Sequence, residues 1–357
     1  GFSYLKVEDL FKNIKQLSFS FTEELFMYLQ IFWGDTLYMK IVITARDFAT
    51  HDDKAIKMLK DAGHEVVDYS GKYCGNSTDE ETVASLLGDA DIVVMGLEPF
   101  GKTVSKLCPN IKMISKRSIG YDSVDLKECE KRGITVARTT GMVEGAVAEH
   151  VMAYIMYFAR ELSRQNSSLH KGKWDRVMTY GAKNRTLGLV GFGGIGKEIA
   201  KRAVPFGMNV IYYCRHPKKE WEDEYGVKYA SFEELISQSD YISVNVNLSD
   251  STKGMFGEDE FSKMKKECVF INIARSPIMD VNALKNALDK GIIRGAGIDV
   301  FDSEPCTDSP LKECENAVLT PHTAPYTFEN FSAMNCCAAQ NVLDYLKGEL
   351  KEKFKLI

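Results

Sequence analysis

The 357-residue sequence contains no run of about 18 apolar residues, the length a helix needs to cross a bilayer, so nothing in it reads as a membrane span. It also has no CxxC pair. Its nine cysteines, an odd number, are scattered from Cys74 to Cys337, which argues against a disulfide framework or a zinc site. Reduced thiols in a cytoplasmic protein fit that pattern better, and no metal is expected. There is no basic excess: 45 Lys and Arg against 50 Asp and Glu leave a formal net charge of −5. That speaks against nucleic acid or an anionic membrane as the main partner. Low-complexity tracts are missing, and 45% hydrophobic with 27% charged residues excludes a disordered or collagenous chain. What remains is the composition of a globular protein, long enough for two domains at the usual size of about 100–200 residues each.

Residues 1–38 do not match the rest. Ten of them are aromatic, against 11% of the whole chain, and none is arginine, as a transit peptide would require. Met39-Lys40-Ile41-Val42-Ile43-Thr44 then opens a first strand. The expectation is that Met39 is the natural start and that residues 1–38 are an upstream extension. An amphipathic helix packed on the body or on a second subunit is the rival reading.

Beyond Met39, short β-branched runs alternate with helical stretches. Strands are expected at Ile41–Thr44, Glu65–Asp68, Ile92–Met95, Lys112–Ser115 and Thr135–Ala137, separated by helices such as Asp52–Asp61 and Ser123–Arg132. A long apolar helix, Glu144 to about Arg164, interrupts the alternation, and an irregular stretch follows at Ser167–Lys183. Strands resume at Thr186–Val190, Asn209–Tyr213, Tyr241–Val246, Val269–Asn272, Gly295–Asp299 and Val318–Leu319. Such spacing predicts an α/β protein built of βαβ units around parallel sheets. The last helix, Thr327 to Gly348, follows the second sheet and is free to pack back on the first, which would make the first domain discontinuous.

Gly191-Phe192-Gly193-Gly194-Ile195-Gly196 is the strongest local signal, because it joins the apolar strand Leu187–Val190 to the helix beginning Lys197-Glu198. Gly191 permits the tight turn, Gly193 lets backbone approach a pyrophosphate, and Gly196 allows close helix–strand packing. The helix N-terminus offers free N–H groups to the phosphates. A tight turn of purely structural purpose is the bland alternative. An acidic residue usually follows about 20 residues on, to hold the adenosine ribose. Tyr213-Cys214-Arg215-His216-Pro217-Lys218-Lys219 stands there instead. Nothing repels a 2′-phosphate, and Arg215 can grip one through its guanidinium fork, so NADP is favoured over NAD. A solvated basic loop is the alternative.

Three more segments end strands, where open α/β sheets bind ligands. Asn272-Ile273-Ala274-Arg275-Ser276 offers an arginine suited to a carboxylate. Gly295-Ala296-Gly297-Ile298-Asp299-Val300-Phe301-Asp302-Ser303-Glu304-Pro305 places acids at a strand exit. Pro321-His322-Thr323-Ala324 places a histidine after the last strand, where pairing with a carboxylate lets it hold and then donate a proton. Singly these read as a salt bridge, a solvated acid and a capping histidine. Together, downstream of the glycine turn, they are harder to dismiss.

In order and spacing, Gly191–Gly196, Phe270–Ser276, Gly295–Pro305 and Pro321–Ala324 resemble the signature of the D-isomer-specific 2-hydroxyacid dehydrogenases, which include D-lactate, D-3-phosphoglycerate and glyoxylate/hydroxypyruvate enzymes. The likeness runs from Met39 to Gly348. It implies a Rossmann nucleotide-binding domain (141–324) inserted into a discontinuous flavodoxin-like substrate domain (39–140 and 325–357), both doubly wound, and a homodimer joined through the Glu144–Arg164 helix and the arm through Trp174. It implies hydride transfer between a nicotinamide cofactor and a small 2-oxo or D-2-hydroxy acid. By the same resemblance Arg275 binds the substrate carboxylate and 2-oxo group, with the N–H groups of Ile119 and Gly120 from Lys116-Arg117-Ser118-Ile119-Gly120-Tyr121-Asp122. His322 is the acid/base, Glu304 orients it, and Asp299 holds the nicotinamide carboxamide. Further nucleotide contacts are implied at Gly194, Ile195, Cys214, His216, Asn247, Thr252, Ala274 and Ala324. Ser276 stands where the family usually has glycine. Pro321–Thr327 and Arg117–Asp122 resemble the D-lactate and vancomycin-resistance lactate branch, except that Pro325 replaces an aromatic residue and Met142 a tyrosine. D-3-phosphoglycerate dehydrogenase is the alternative enzyme, and a non-catalytic nucleotide-sensing corepressor or scaffold of the same fold is the alternative of another class. Among the other histidines, His150 on the apolar helix reads as structural, and His51, His64 and His170 as surface residues.

Overall fold

The computed structural model describes residues 38–70 and 79–357; the expected extension at 1–38 lies outside them except for Tyr38. The first half builds β1 (Lys40–Ile43), α1 (Lys54–Asp61), β2 (Glu65–Asp68), α2 (Glu80–Leu87), β3 (Ile92–Met95), α3 (Lys102–Leu107), β4 (Met113–Lys116), α4 (Leu126–Arg132) and β5 (Thr135–Arg138). Helices α5 (Glu144–Arg160) and α6 (Leu162–His170) follow. The second half adds β6 (Thr186–Val190), α7 (Gly194–Ala203), β7 (Asn209–Tyr213), α8 (Glu220–Tyr225), β8 (Val227–Tyr229), α9 (Phe232–Gln238), β9 (Tyr241–Val244), α10 (Glu258–Lys263), β10 (Val269–Asn272), α11 (Val281–Asp289), β11 (Gly295–Ile298), β12 (Ala317–Leu319) and α12 (Phe328–Leu346).

Both sheets are wholly parallel. The first runs β2-β1-β3-β4-β5, the flavodoxin-like order, and the second β12-β11-β10-β9-β6-β7-β8, a doubly wound order that reverses between β6 and β9. Central strands such as Ile92-Val93-Val94-Met95 and Val269-Phe270-Ile271-Asn272 are buried along their whole length, as strands covered by helices on both faces must be. Side chains mark the helix starts. Asp79, Asp125 and Asp280 accept N–H groups of the first turns of α2, α4 and α11, and Ser231 closes a capping box with Glu234 at α9.

The last helix does return to the first sheet. Ala338, Ala339 and Val342 of α12 share a core with Ile41, Ile43, Leu59 and Met113, and Ser115 Oγ donates to the Ala338 carbonyl at 2.9 Å. The chain then bridges β5 antiparallel at Ala137 and Lys355. Helix α5 instead packs on the second sheet, with Val151, Ile155 and Phe158 in a core shared with Leu187, Leu189 and Ile271.

Four details differ from expectation. The long helix breaks at Glu161, in the left-handed region at φ 47°, so α6 is a separate helix that runs into the stretch expected to be irregular. Strand β8 was not foreseen, and β9 stops two residues early, at Val244. His64, expected at the surface, is 7% exposed, and burial lowers its pKa. Among the described residues no helix is long and apolar enough to cross a membrane, no His, Cys, Asp and Glu cluster could hold a metal, and the eight described cysteines are free.

Candidate active site

The glycine turn sits where the strand order of the second sheet reverses. Gly191 has φ 99°, and a Cβ there would lie 2.7 Å from the Asn245 carbonyl oxygen, so geometry and space both demand glycine. A Cβ at Gly196 would lie 2.5 Å from the Gly191 oxygen. Gly193 differs: its Cβ direction is open, just where α7 begins and presents its first N–H groups. Such an open backbone cradle at a helix N-terminus fits a pyrophosphate. Gly194 meets Glu144 instead, and Ile195 is half-buried. Gly191 N–H donates to the Tyr213 carbonyl at 2.8 Å, which sets the end of β7 beside the turn. Cys214 follows partly buried, and Arg215 and His216 are exposed. Arg215 makes no ion pair with any described residue. After β9, Thr252 Oγ1 donates to the Asn247 carbonyl at 2.7 Å, closing the loop that leaves that strand.

Arg275 follows β10. Asn272 shapes the exit: its Oδ1 accepts from Ala274 N–H at 3.0 Å and its Nδ2 donates to the Arg275 carbonyl at 3.0 Å. Ser276 is buried and opens a short 3₁₀ turn, Ser276–Ile278. The Arg275 guanidinium reaches the first sheet. Nε and Nη2 donate to Asp122 Oδ2 at 3.2 and 2.9 Å, and Nη1 donates to the Ala274 carbonyl at 2.7 Å. A Cβ at Gly120 would fall on Nη2, so this loop must carry glycine for the arginine to lie across it. The loop is itself held by Ser118 Oγ, which donates to the Gly120 carbonyl at 2.7 Å, and by Thr139 N–H, which donates to the Ser118 carbonyl at 3.2 Å. The N–H groups of Ile119 and Gly120 meet no acceptor among the described residues.

Glu304 and His322 come from the exits of β11 and β12. His322 Nδ1 is 2.7 Å from Glu304 Oε2, and Glu304 Oε1 accepts from Phe301 N–H at 3.1 Å. Burial pushes the Glu304 carboxyl up. The bond to His322, the charge there, the Phe301 N–H and the Arg275 guanidinium outweigh it, and the net shift is downward. The Arg275 charge is thus near enough to act on Glu304. Asp299 is fully buried. Its Oδ1 accepts from Thr323 N–H at 2.8 Å and from the Thr320 hydroxyl, and its Oδ2 accepts from Ala324 N–H at 2.9 Å.

The expected site residues therefore gather at the carboxyl ends of the two sheets: Ile119 and Gly120 from the first, the others from the second. Sequence reading gave Asp122 no role, although an acid in a loop after a buried strand is the kind of residue that could have been marked. Thr320 was missed altogether.

The arrangement has known counterparts. Residues 152–324 match the family described as D-isomer specific 2-hydroxyacid dehydrogenase, NAD binding domain. The chain is 38% identical over 268 residues to a glyoxylate reductase of Thermococcus litoralis, covering 72% of this chain and 81% of that protein. It is 32% identical over 319 residues to a D-3-phosphoglycerate dehydrogenase of Methanocaldococcus jannaschii, covering 88% of this chain and 59% of that longer one. The crystal structure of a glyoxylate reductase from Paecilomyes thermophila superposes with a TM-score of 0.78 at 29% identity, covering 90% of this chain and 98% of the other.

Proposed function

The chain belongs to the D-isomer-specific 2-hydroxyacid dehydrogenases, nicotinamide-dependent oxidoreductases that act on 2-oxo and 2-hydroxy acids, and from that premise we propose how its own residues divide the work. The observation that carries the reading is the His322–Glu304 pair at 2.7 Å, with Arg275 at the exit of a neighbouring strand and near enough for its charge to act on Glu304. Arg275 takes the substrate carboxylate and 2-oxo oxygen, aided by the N–H groups of Ile119 and Gly120 across the cleft. Hydride addition leaves negative charge on the carbonyl oxygen, which the guanidinium stabilises and His322 protonates from Nε2, its Nδ1 being held by Glu304. When bound, the nicotinamide supplies that hydride or accepts it in reverse. Residues 141–324 act as the nucleotide-binding domain, and 39–140 with 325–357 as the substrate domain. The turn Gly191–Gly196 holds the pyrophosphate, while Cys214–His216, Asn247, Thr252, Ala274, Asp299 and Ala324 line the rest of the cofactor.

The substrate is a small 2-oxo acid, as the glyoxylate reductase relative suggests. Phosphohydroxypyruvate is the second reading, supported by the D-3-phosphoglycerate dehydrogenase relative. Initial rates of NADPH and NADH oxidation against glyoxylate, hydroxypyruvate, pyruvate, 2-oxobutyrate, branched 2-oxo acids and phosphohydroxypyruvate decide between them. Fast turnover of glyoxylate or hydroxypyruvate is expected, and turnover confined to phosphohydroxypyruvate overturns the first reading.

The cofactor is NADP rather than NAD, because an exposed, unengaged Arg215 stands beside the glycine turn and no carboxylate occupies that stretch. Arg215→Ala is expected to lower kcat/KM for NADPH about tenfold or more, the loss of one charged hydrogen bond of about 1.5–3 kcal/mol, and to leave NADH use nearly unchanged. An equal loss with both cofactors would refute the phosphate contact.

The chain pairs as a homodimer through α5, α6 and the arm beyond. Along that arm Trp174 is 78% and Met178 95% exposed, and Leu162 and Leu169 of α6 are also exposed, apolar side chains that a second copy would cover. Light scattering should return twice the chain mass. A monomer at micromolar concentration sinks the assignment.

A further inference from the structure

Four polar side chains meet beneath the loop that carries His322, and three of them have no part in the chemistry above. His150 and Tyr154 lie one turn apart on α5. His150 Nε2 is 3.1 Å from Thr320 Oγ1 and Tyr154 Oη is 2.6 Å from it. The Thr320 hydroxyl in turn donates to Asp299 Oδ1. A hydroxyl has one proton and two lone pairs. With its proton committed to Asp299, Thr320 can only accept from the other two, so His150 carries its proton on Nε2 and Tyr154 donates its phenolic hydrogen. The hub is then fully used, and the tautomer of the histidine is fixed.

Packing brings the helix this close. Tyr154 lies against Gly297 of β11, where a Cβ would come within 2.8 Å of the ring, and Phe158, one turn on, lies within 2.7 Å of a Cβ at Gly295. The Gly295-Ala296-Gly297 run thus lets α5 lie close on the strand that leads into Asp299. Burial lowers the His150 pKa, against the pull of the Asp299 charge, and raises that of Tyr154, so both remain neutral donors at neutral pH.

The network ends on the backbone of the catalytic loop. Asp299 accepts the N–H groups of Thr323 and Ala324, immediately after His322. His322 N–H donates to the Thr320 carbonyl at 2.9 Å, and His322 sits at φ 54°, in the left-handed region that a side chain disfavours. A non-glycine residue stays in that region only where its surroundings over-determine it. Here the surroundings are the Thr320 hub on one side and the Asp299 clamp on the other.

We infer that His150, Tyr154 and Thr320 are positioning residues for His322, acting through Asp299 to hold the left-handed turn that aims the imidazole at the substrate oxygen. The inference rests on the acid–base role assigned to His322 above. In the full chain, Thr320→Val keeps the shape and removes the hydroxyl, while Thr320→Ser keeps the hydroxyl. His150→Phe removes the Nε2 donor, while His150→Gln retains a donor of similar reach. Thr320→Val and His150→Phe are expected to lower kcat roughly 10- to 100-fold, the scale of a displacement near 1 Å. The KM for glyoxylate should hardly move, and the NADPH affinity, read by fluorescence, should fall by far less than kcat, because Asp299 and Ala324 also line the cofactor. Thr320→Ser and His150→Gln should recover most of the rate. His322→Ala serves as control: if it turns over, the acid–base role itself is wrong. If it is inactive while Thr320→Val and His150→Phe match the parent, the positioning role is overturned. Equal losses in the conservative and non-conservative variants also overturn it, because packing alone would then be at stake. Should His150→Phe fail to fold, Tyr154→Phe, which loses a single hydroxyl, carries the comparison with the same expected fall.

Discussion

His322→Ala is expected to lower kcat for 2-oxo acid reduction by about 10²- to 10⁴-fold, the range that a positioned proton donor contributes, while NADPH still binds. The imidazole has one nitrogen committed: Nδ1 lies 2.7 Å from Glu304 Oε2. Only Nε2 is left for the substrate, so no second route exists through the same ring. Glu304 supports this over a wide pH range. Its pKa lies below the ordinary value of 4.5, despite burial, because the bond and charge of His322, the Phe301 N–H and the Arg275 guanidinium favour the charged form. The sign follows from linkage. A carboxyl with a depressed folded-state pKa stabilises the fold above its ordinary range, and that contribution fades as the pH falls through the lowered value. The pair should therefore persist through mildly acidic buffer. Glu304→Gln should cost less than His322→Ala, since it keeps the shape and one acceptor but loses the charge. Steady-state rates of the two variants, set beside nucleotide binding by fluorescence, check both statements. Full activity in His322→Ala would show that the proton comes from elsewhere, and such a protein would be better described as a nucleotide-binding relative with another use for its cleft.

Much of this was legible in the sequence because each strand of a parallel sheet buried on both faces is a short β-branched run, and each strand end carries its chemistry within a few residues. Gly191–Gly196, Arg275, Glu304 and His322 are all of that kind. The features that escaped are set by distance along the chain or by backbone alone. Asp122 meets Arg275 across 153 residues, and His150 meets Thr320 across 170, and no local pattern announces such pairs. The break at Glu161 is made by a charged residue in the left-handed region, where glycine would have been the visible mark. Strand β8 has three residues, two of them exposed, and so lacks the apolar run that betrays a strand. His64 sits beside a glycine turn, which reads as surface, yet the fold covers it.

Arg275→Ala is expected to reduce kcat/KM for glyoxylate by roughly two to four powers of ten, because each hydrogen bond to a charged group is worth about 1.5–3 kcal/mol and two are lost at once. The geometry says which two. A guanidinium has five N–H donors in a rigid fork. Asp122 Oδ2 takes those of Nε and one of Nη2, and the Ala274 carbonyl takes one of Nη1. Two remain, one on each terminal nitrogen, and a parallel pair of such donors is what grips a carboxylate or a carbonyl. Asp122 does not compete with the substrate in this arrangement; it fixes the plane of the fork from the opposite sheet. Arg275→Lys should recover little, since an ammonium keeps the charge but neither engages Asp122 along one edge nor offers a parallel pair on the other. Asp122→Asn should fall between, with the arginine present but loosely aimed, raising KM more than it lowers kcat. The comparison is made with saturating NADPH and glyoxylate varied over a wide range, so that KM and kcat separate. If Arg275→Lys keeps near-parental kcat/KM, a point charge suffices and the parallel grip of the substrate carboxylate is wrong.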